Sequence, residues 1–400
     1  MRILHLATSR HGGAGIAALR LHDALIAEGY DSSLLSLEDV SKGKSAIQMK
    51  HYLIRKIYTL INRMNTRKGF ISTSTFSASN ISVEELAKYA PDVVHIHNWY
   101  NLLSTDSIID IASSYPTVIT MHDERLITGS CHYSLECKGY LTDCPSCPAV
   151  RTFHRSVSRN KLDLPRKISN RSHLIVLAPS HWLIDRYQDT ALGNKISRTK
   201  VIPNIISVPD LFKLVRENPI KNDEFNLLFA AVNPEAPTKG LNLLVEAVTN
   251  FAELNPKVKV ILHVVGREVV MKSKLTNLTF VIHGFQSSSA MAVFFRKVDL
   301  VIVPSRIDNS PSIISEAQLN GALVLATNVG GIPELITDSI SGLVCEPNVD
   351  SLLESLERAF NIENRQDLVS AAYKQAADRH NRAKIVQAHI DVYRELISHG

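Results

Sequence analysis

The stretch VDLVIVPSRIDNSPSIISEAQLNGALVLAT, residues 298–327, decides the fold. It reads strand, turn, helix, strand: an apolar run over Val298–Ser305, a helix begun by Pro311 and Ser312, and a second apolar run over Ala322–Thr327. Short apolar strands separated by helical segments belong to a parallel sheet covered on both faces.

The same alternation continues outward. Asn226–Ala231, Val258–Val265 and Leu278–Gly284 read as strands of the same series. A separate series precedes them: Arg2–Ala7, Asp92–His97, Thr117–Thr120, Leu174–Ser180 and Lys200–Pro203. Between the two, residues 204–221 carry Pro209 and Pro219 without clean periodicity and read as a linker. The expected fold class is α/β, with two doubly wound Rossmann-like domains facing a central cleft. The first covers 1–203 and the second 222–375, and a helix over 376–400 is expected to return to the first domain. Ligands of such sheets bind beyond the carboxyl ends of the strands, which makes the cleft the expected site.

Composition sets outer bounds. The chain has 400 residues, 45% hydrophobic and 21% charged, enough for two cores. Its net charge of +5 is too mild to demand nucleic acid and suits an anionic surface or substrate. The apolar run in MRILHLATSRHGG is too short for a signal peptide, and no stretch approaches the ~20 apolar residues of a spanning helix. A cytoplasmic location is expected, where disulfides are disfavoured.

Two segments carry chemistry. In SRHGGAG, Gly12 and Gly13 follow a strand and open a helix, which lets backbone approach a phosphate or sugar at a positive helix end. The loop is not G-x-G-x-x-G, and a plain tight turn is the other reading. Asp308 and Glu316 stand eight residues apart across a turn and a helix start. The amides of Ser312 and Ile313 there form an anion site, so Glu316 can accept ribose hydroxyls while the amides hold a diphosphate. The plainer alternative makes Asp308 a cap and Glu316 a solvated helix residue.

The segment PSRIDNSPSIISEA, followed by GALV and VGGIPEL, resembles the signature of the retaining, two-domain (GT-B) glycosyltransferases of family 4. It is most similar to the branch that builds bacterial surface polysaccharides, colanic acid transferases among them. That family reads P-S-x-x-E-N-x-P-x-x-x-x-E-A; this chain has Asp308 for its Glu and Leu323 for a later Pro. MHDERLITGSCHYS resembles H-D-M-W-x-F-T-G-x-C-H-Y-S, with Glu124 and Arg125 in place of Met and Trp. AAVNPEAPTKG resembles G-A-x-N-x-x-x-x-R-K-G, with Thr238 where a second basic residue is common. The resemblance implies catalytic roles for His122, Asp308 and Glu316. It implies donor contacts from Lys239 to the diphosphate and from Asn233, and an acceptor side holding Asn98 and Trp99. The implied reaction moves a sugar from a nucleotide sugar to a lipid-linked or growing surface glycan. No D-x-D occurs, so no cofactor is expected for catalysis. A nucleotide-sugar epimerase and a noncatalytic nucleotide-sugar-binding protein are the alternatives on the same frame.

Four of the five cysteines lie at Cys131, Cys137, Cys144 and Cys147, spaced C-x5-C-x6-C-x2-C. Four thiolates with a C-x2-C knuckle suit a tetrahedral structural zinc; free thiols or a disulfide are the other readings. A similar cluster follows the histidine motif in the resembling branch, beside the acceptor side. A zinc-dependent nucleic-acid binder is disfavoured, because no basic, aromatic-studded face accompanies the cysteines. Finally, QMKHYLIRKIYTLINRMNTRKGF sets a stripe of Leu53, Ile57, Leu60, Ile61 and Met64 among Lys50, Arg55, Lys56, Arg63, Arg67 and Lys68. A second basic run spans Arg151–Lys167. The stripe either faces the core or docks on an anionic membrane, on the inner face of the cell membrane.

Overall fold

The computed structural model describes residues 1–40, 46–67, 81–128, 131–142, 144, 147–151, 173–190, 198–206 and 223–398. The chain divides into two compact units, Met1–Ile205 with Arg382–Gly400, and Ile206–Asn381. Each is built on a six-stranded sheet whose paired strands all run parallel.

In the first unit β1 (Arg2–Ala7) leads into α1 (Gly12–Ala27), then β2 (Asp31–Ser36), the short α2 (Leu37–Val40), α3 (Ala46–Asn65) and α4 (Val83–Ala87). Next come β3 (Val93–Asn98), α5 (Thr105–Ser114), β4 (Thr117–Thr120), β5 (Leu174–Ala178), α6 (His181–Gln188) and β6 (Thr199–Val201). The central strands β4, TVIT, and β5, LIVLA, are buried at every residue, as a strand covered on both faces requires. Serines start the helices that cover them: Ser104 and Ser180 each accept a backbone N–H three residues on, and Ser82 forms a reciprocal capping box with Glu85.

The second unit runs β7 (Glu224–Ala231), α7 (Leu241–Leu254), β8 (Lys259–Gly266), β9 (Leu278–His283), α8 (Ser288–Lys297) and β10 (Leu300–Val303). It continues with α9 (Ser312–Leu319), β11 (Val324–Thr327), β12 (Leu343–Cys345), α10 (Val349–Phe360) and α11 (Arg365–Arg379). The last described helix, α12 (Arg382–Ser398), belongs to the first unit. It buries Ile385, Val386, Ile390, Tyr393 and Leu396 against Ile3, Leu25 and Val93. Residues 376–379, read from sequence as part of this returning helix, stay in the second unit at the end of α11.

The strand orders are β2-β1-β3-β4-β5-β6 and β12-β11-β10-β7-β8-β9. The direction of winding reverses between β1 and β3 in the first sheet and between β7 and β10 in the second. Those switch points open a crevice at the carboxyl ends, where such sheets take ligands. The sequence reading did not include β2, DSSLLS, which has too few apolar residues for the pattern. Its buried serines are instead hydrogen-bonded, Ser32 Oγ to His22 Nδ1 at 2.8 Å and Ser36 Oγ to Asp39 at 2.8 Å. Of the linker, Pro209 and Pro219 lie outside the described residues.

Candidate active site

At the switch point of the second unit, the loops after β7 and β10 touch. Gly240 has φ +70°, and a Cβ there would lie 1.8 Å from the Pro304 carbonyl oxygen, so only glycine permits this approach. Lys239, just before it, donates from Nζ to Asp308 Oδ2 at 2.6 Å, and Ser305 Oγ lies 3.5 Å from the same oxygen. The Asp308 carbonyl accepts the Gly331 N–H at 3.0 Å, and Gly330, at φ +61°, presses against that carbonyl. Asp308 is therefore held at both its backbone and its carboxylate. It is not a cap: Pro311 holds the N-cap position of α9, with no side-chain cap bond. Ser312 and Ile313 open α9 with their amides, and Glu316 lies one turn in, half-buried.

The flanks of this site hold the remaining second-unit candidates and two features absent from the sequence reading. Asn233 is exposed in the loop after β7. Thr238 is buried, and its carbonyl accepts the Arg306 N–H at 2.8 Å. That bond sets the exposed Arg306 beside the position where a second basic residue was missing. A cavity of about 640 Å³ opens at the carboxyl ends of β8 and β9, lined by Gly266, Arg267, Val269, Met271, Ile282 and Phe285. The glycines that end both strands, Gly266 and Gly284, were its signal in the sequence.

In the first unit the switch point holds a different chemistry. Thr8, after β1, donates its N–H to the Asn98 carbonyl at 2.7 Å, and Asn98 Oδ1 accepts the Tyr100 N–H at 3.2 Å. Gly12, at φ +72°, and Gly13 have nothing within 4 Å of where a Cβ would lie. The sterically required glycine of that loop is Gly15, whose Cβ would meet the Ser9 carbonyl at 2.2 Å. His122 follows β4 and lines a small cavity with Asn98, Trp99 and Arg125. His5 on β1 and His95 and His97 on β3 are all buried beside it. His95 and His97 share one face of their strand because side chains alternate with period two.

These rings form a connected network. His5 Nδ1 lies 2.9 Å from His97 Nε2, and His97 Nδ1 lies 3.3 Å from His122 Nε2. His95 bonds Tyr393 Oη and Thr120 Oγ1, each at 2.7 Å. Burial pushes His122 down to about 4 against a modest opposing pull from Asp123. It holds His5, His95 and His97 well below the usual histidine range as well.

Glu124 and Arg125, the departures beside His122, are matched by new partners. Arg125 donates to Asp123 at 2.6 Å, and His132 Nε2 lies 3.1 Å from the same carboxylate. Burial alone would raise the Asp123 carboxyl, but Arg125 and His132 outweigh it and hold it well below the carboxylate range. Glu124 is wholly buried, pairs with Arg186 at 2.5 Å and accepts the Ser134 N–H. A lone buried carboxylate would be costly, and this one is paired and hydrogen-bonded.

Among the described residues, only His5, His95 and His97 bring three metal-capable atoms within 4.8 Å of one another. Every ring nitrogen in that trio except His5 Nε2 already makes a hydrogen bond, so we read the trio as a hydrogen-bonded cluster. The clustered cysteines are not gathered to that degree, and none of the five cysteines is in a disulfide. A hydrogen bond shared with Cys147, then burial, pushes the Cys131 thiol up, and the Gly139 N–H donates to Cys137 Sγ at 3.4 Å. On α3, Ile57, Leu60 and Met64 are 54%, 57% and 65% exposed, so the stripe does not face the core there. Lys56, Arg63 and Arg67 are exposed beside it. The side chains of Lys50, Leu53 and Arg55, together with Lys68 and residues 152–167 of the second basic run, lie outside the described residues. Among the described residues no helix is long and apolar enough to cross a membrane.

Two family models cover most of this chain: Glycosyltransferase Family 4 matches residues 11–208, and Glycosyl transferases group 1 matches residues 213–375. The chain belongs to the family 4 glycosyltransferases. Among relatives of this glycosyltransferase is WcaC of Escherichia coli K12, named as a glycosyl transferase of colanic acid biosynthesis. The two are 23% identical over 366 residues, 86% of this chain and 87% of WcaC. Solved structures share the GT-B fold. Sucrose-phosphate synthase from Thermosynechococcus elongatus superposes with a TM-score of 0.65 at 17% identity, over 100% of both chains. HepE of Anabaena, solved in complex with UDP and glucose, gives 0.56 at 16% identity over 98% of each.

Proposed function

We propose that this glycosyltransferase moves a sugar from a nucleotide sugar to a lipid-linked or growing surface polysaccharide, with retention at the anomeric carbon. The observation that carries this reading is the cationic, amide-rich switch point of the second unit, where the Lys239–Asp308 pair, the Thr238–Arg306 backbone bond and the start of α9 come together; a 640 Å³ cavity opens at the carboxyl ends of β8 and β9 in the same unit. The cavity suits the nucleoside base and Glu316 the ribose hydroxyls, with Asn233 along the same ligand. The diphosphate is the leaving group, and its developing charge is stabilised by the amides of Ser312 and Ile313 with Lys239 and Arg306. The helix-start amides are fixed by α9 and Lys239 is held by Asp308, so little reorganisation of these is required at the moment of reaction. His122 contacts the donor sugar, Gly12 and Gly13 let backbone approach it, and Asn98 and Trp99 serve the acceptor. The relation to WcaC and the UDP- and glucose-bound HepE support the choice of donor and acceptor class.

A thermal-shift panel of UDP-, GDP- and ADP-sugars tests the donor half. A donor at about 100 times its dissociation constant adds about 2.7 kcal/mol of stability. Release of nucleoside diphosphate that depends on added glycan acceptor tests the other half. If no panel member raises Tm, the nucleotide-sugar reading is wrong; if release needs no acceptor, transfer is wrong.

Two attachments complete the reading. The exposed apolar stripe of α3 with its basic flank docks the protein on an anionic bilayer, placing it at the inner face of the cell membrane. The cysteine loop holds a structural zinc through Cys131, Cys137, Cys144 and Cys147. The contact between Cys131 and Cys147 and the amide on Cys137 Sγ support this.

A further inference from the structure

His5, His97 and His122 form a line of imidazoles from β1 to the loop after β4. All three are neutral near pH 7, because burial disfavours their charged forms. A neutral imidazole has one N–H and one lone pair. His97 can therefore serve both of its bonds only by donating to one neighbour and accepting from the other. The protons are ordered along the whole line, all directed toward His122 or all toward His5.

The far end decides between the two. His5 Nε2 is buried and has no hydrogen-bond partner among the described residues. If the protons ran toward His5, an N–H would be stranded at that atom, with its full desolvation cost. If they run toward His122, only a lone pair is left unfilled there, and buried orphan N–H groups are the rarer of the two. His95 cannot relieve His5, since both of its nitrogens are taken by Tyr393 and Thr120.

We propose that His5 and His97 are positioning residues that fix the tautomer of His122, so that its Nε2 accepts from His97 and its Nδ1 carries the proton. His122 then carries a proton on the side away from His97, where the opposite tautomer would carry a lone pair. The inference rests on the reading that His122 contacts the donor sugar. Among the described residues, the other titratable groups facing this line are His22 on α1, His95 on β3 with its partner Tyr393, His389 on α12, and Asp123 after His122, whose carboxylate is held by Arg125 and His132.

Long-range ¹⁵N NMR of the full chain, labelled at histidine, reads the tautomer directly, with the His122 signal identified by its loss in His122→Ala. Nδ1 should show a protonated and Nε2 an unprotonated nitrogen. Two further variants separate this role from packing. His5→Phe keeps the ring volume and removes the hydrogen bond; His5→Asn is smaller but returns an amide near the Nδ1 position. Turnover is followed with the panel nucleotide sugar that gives the largest Tm shift. His5→Phe should lower kcat about tenfold or more with KM for that donor nearly unchanged, and His5→Asn should restore most of it. Packing alone predicts the reverse order. A proton on His122 Nε2 in the parent, or His5→Phe turning over like the parent, overturns the proposal. The reading of His122 itself fails separately, if His122→Ala turns over like the parent whatever its parent tautomer.

Discussion

Asp308 is one methylene shorter than the glutamate of the related signature, and its carboxylate rests on Lys239 Nζ at 2.6 Å. With its carbonyl clamped by Gly331, the turn has no freedom to carry that carboxylate forward. Asp308 thus lowers the positive charge offered to a diphosphate. Asp308→Asn should tighten binding of the nucleoside diphosphate alone by about two- to fivefold, the size of a partly exposed ion pair, while turnover falls. Calorimetry decides it, and a loss of affinity beyond tenfold would show that Asp308 organises Lys239 for the ligand. Glu316→Ala should weaken the same ligand by about ten- to a hundredfold, the worth of a charged hydrogen bond. If that variant binds as tightly as the parent, the ribose assignment is wrong. The sequence paired Asp308 with Glu316 by their spacing and named Lys239 apart from them. It could not show the Lys239–Asp308 pair, which joins two loops 69 residues apart.

At the scale of elements, strands with unbroken apolar runs were legible: β1 and β4 stand at the residues the pattern indicated. β2 escaped because burial of its serines depends on partners, His22 and Asp39, that a window of sequence does not contain. The histidine line escaped for a related reason. His5, His95 and His97 sit in strands that read as apolar, and only the pairing of β1 with β3 brings them together. The α3 stripe was ambiguous in sequence, and in the fold Ile57, Leu60 and Met64 of it are exposed. Full-length protein should pellet with anionic liposomes in a salt-sensitive way, and Arg55, Lys56, Arg63 and Arg67 changed to Gln should release it without lowering Tm. Equal pelleting of that variant would rule α3 out as the docking element. The cysteine loop should carry about one zinc per chain by elemental analysis; four titratable thiols and no zinc in chelator-free protein would exclude it.

For the whole molecule, the buried histidines set a pH limit. His122 and His389 fall to about 4 in the folded chain, and His5, His95 and His97 are also well below their ordinary value of 6.5. Below 6.5 the unfolded chain takes up protons that the folded chain refuses. Stability is therefore full above that pH and declines as pH falls toward 4. At pH 5 each such ring should cost on the order of 2 kcal/mol. Urea midpoints at pH 7.5 and pH 5 measure it, and equal midpoints would contradict the neutral cluster.

The docking of α12 also reverses the order in which the units can be finished. The first unit begins at Met1, yet its core includes Ile385, Ile390 and Tyr393, and Tyr393 Oη bonds His95 in the middle of its sheet. During synthesis the N-terminal sheet must wait with an open flank until the ribosome has made Ile206–Asn381, a unit able to close on its own residues. Of the two units, the one translated earlier is the one completed later, and the histidine line stays wet until then.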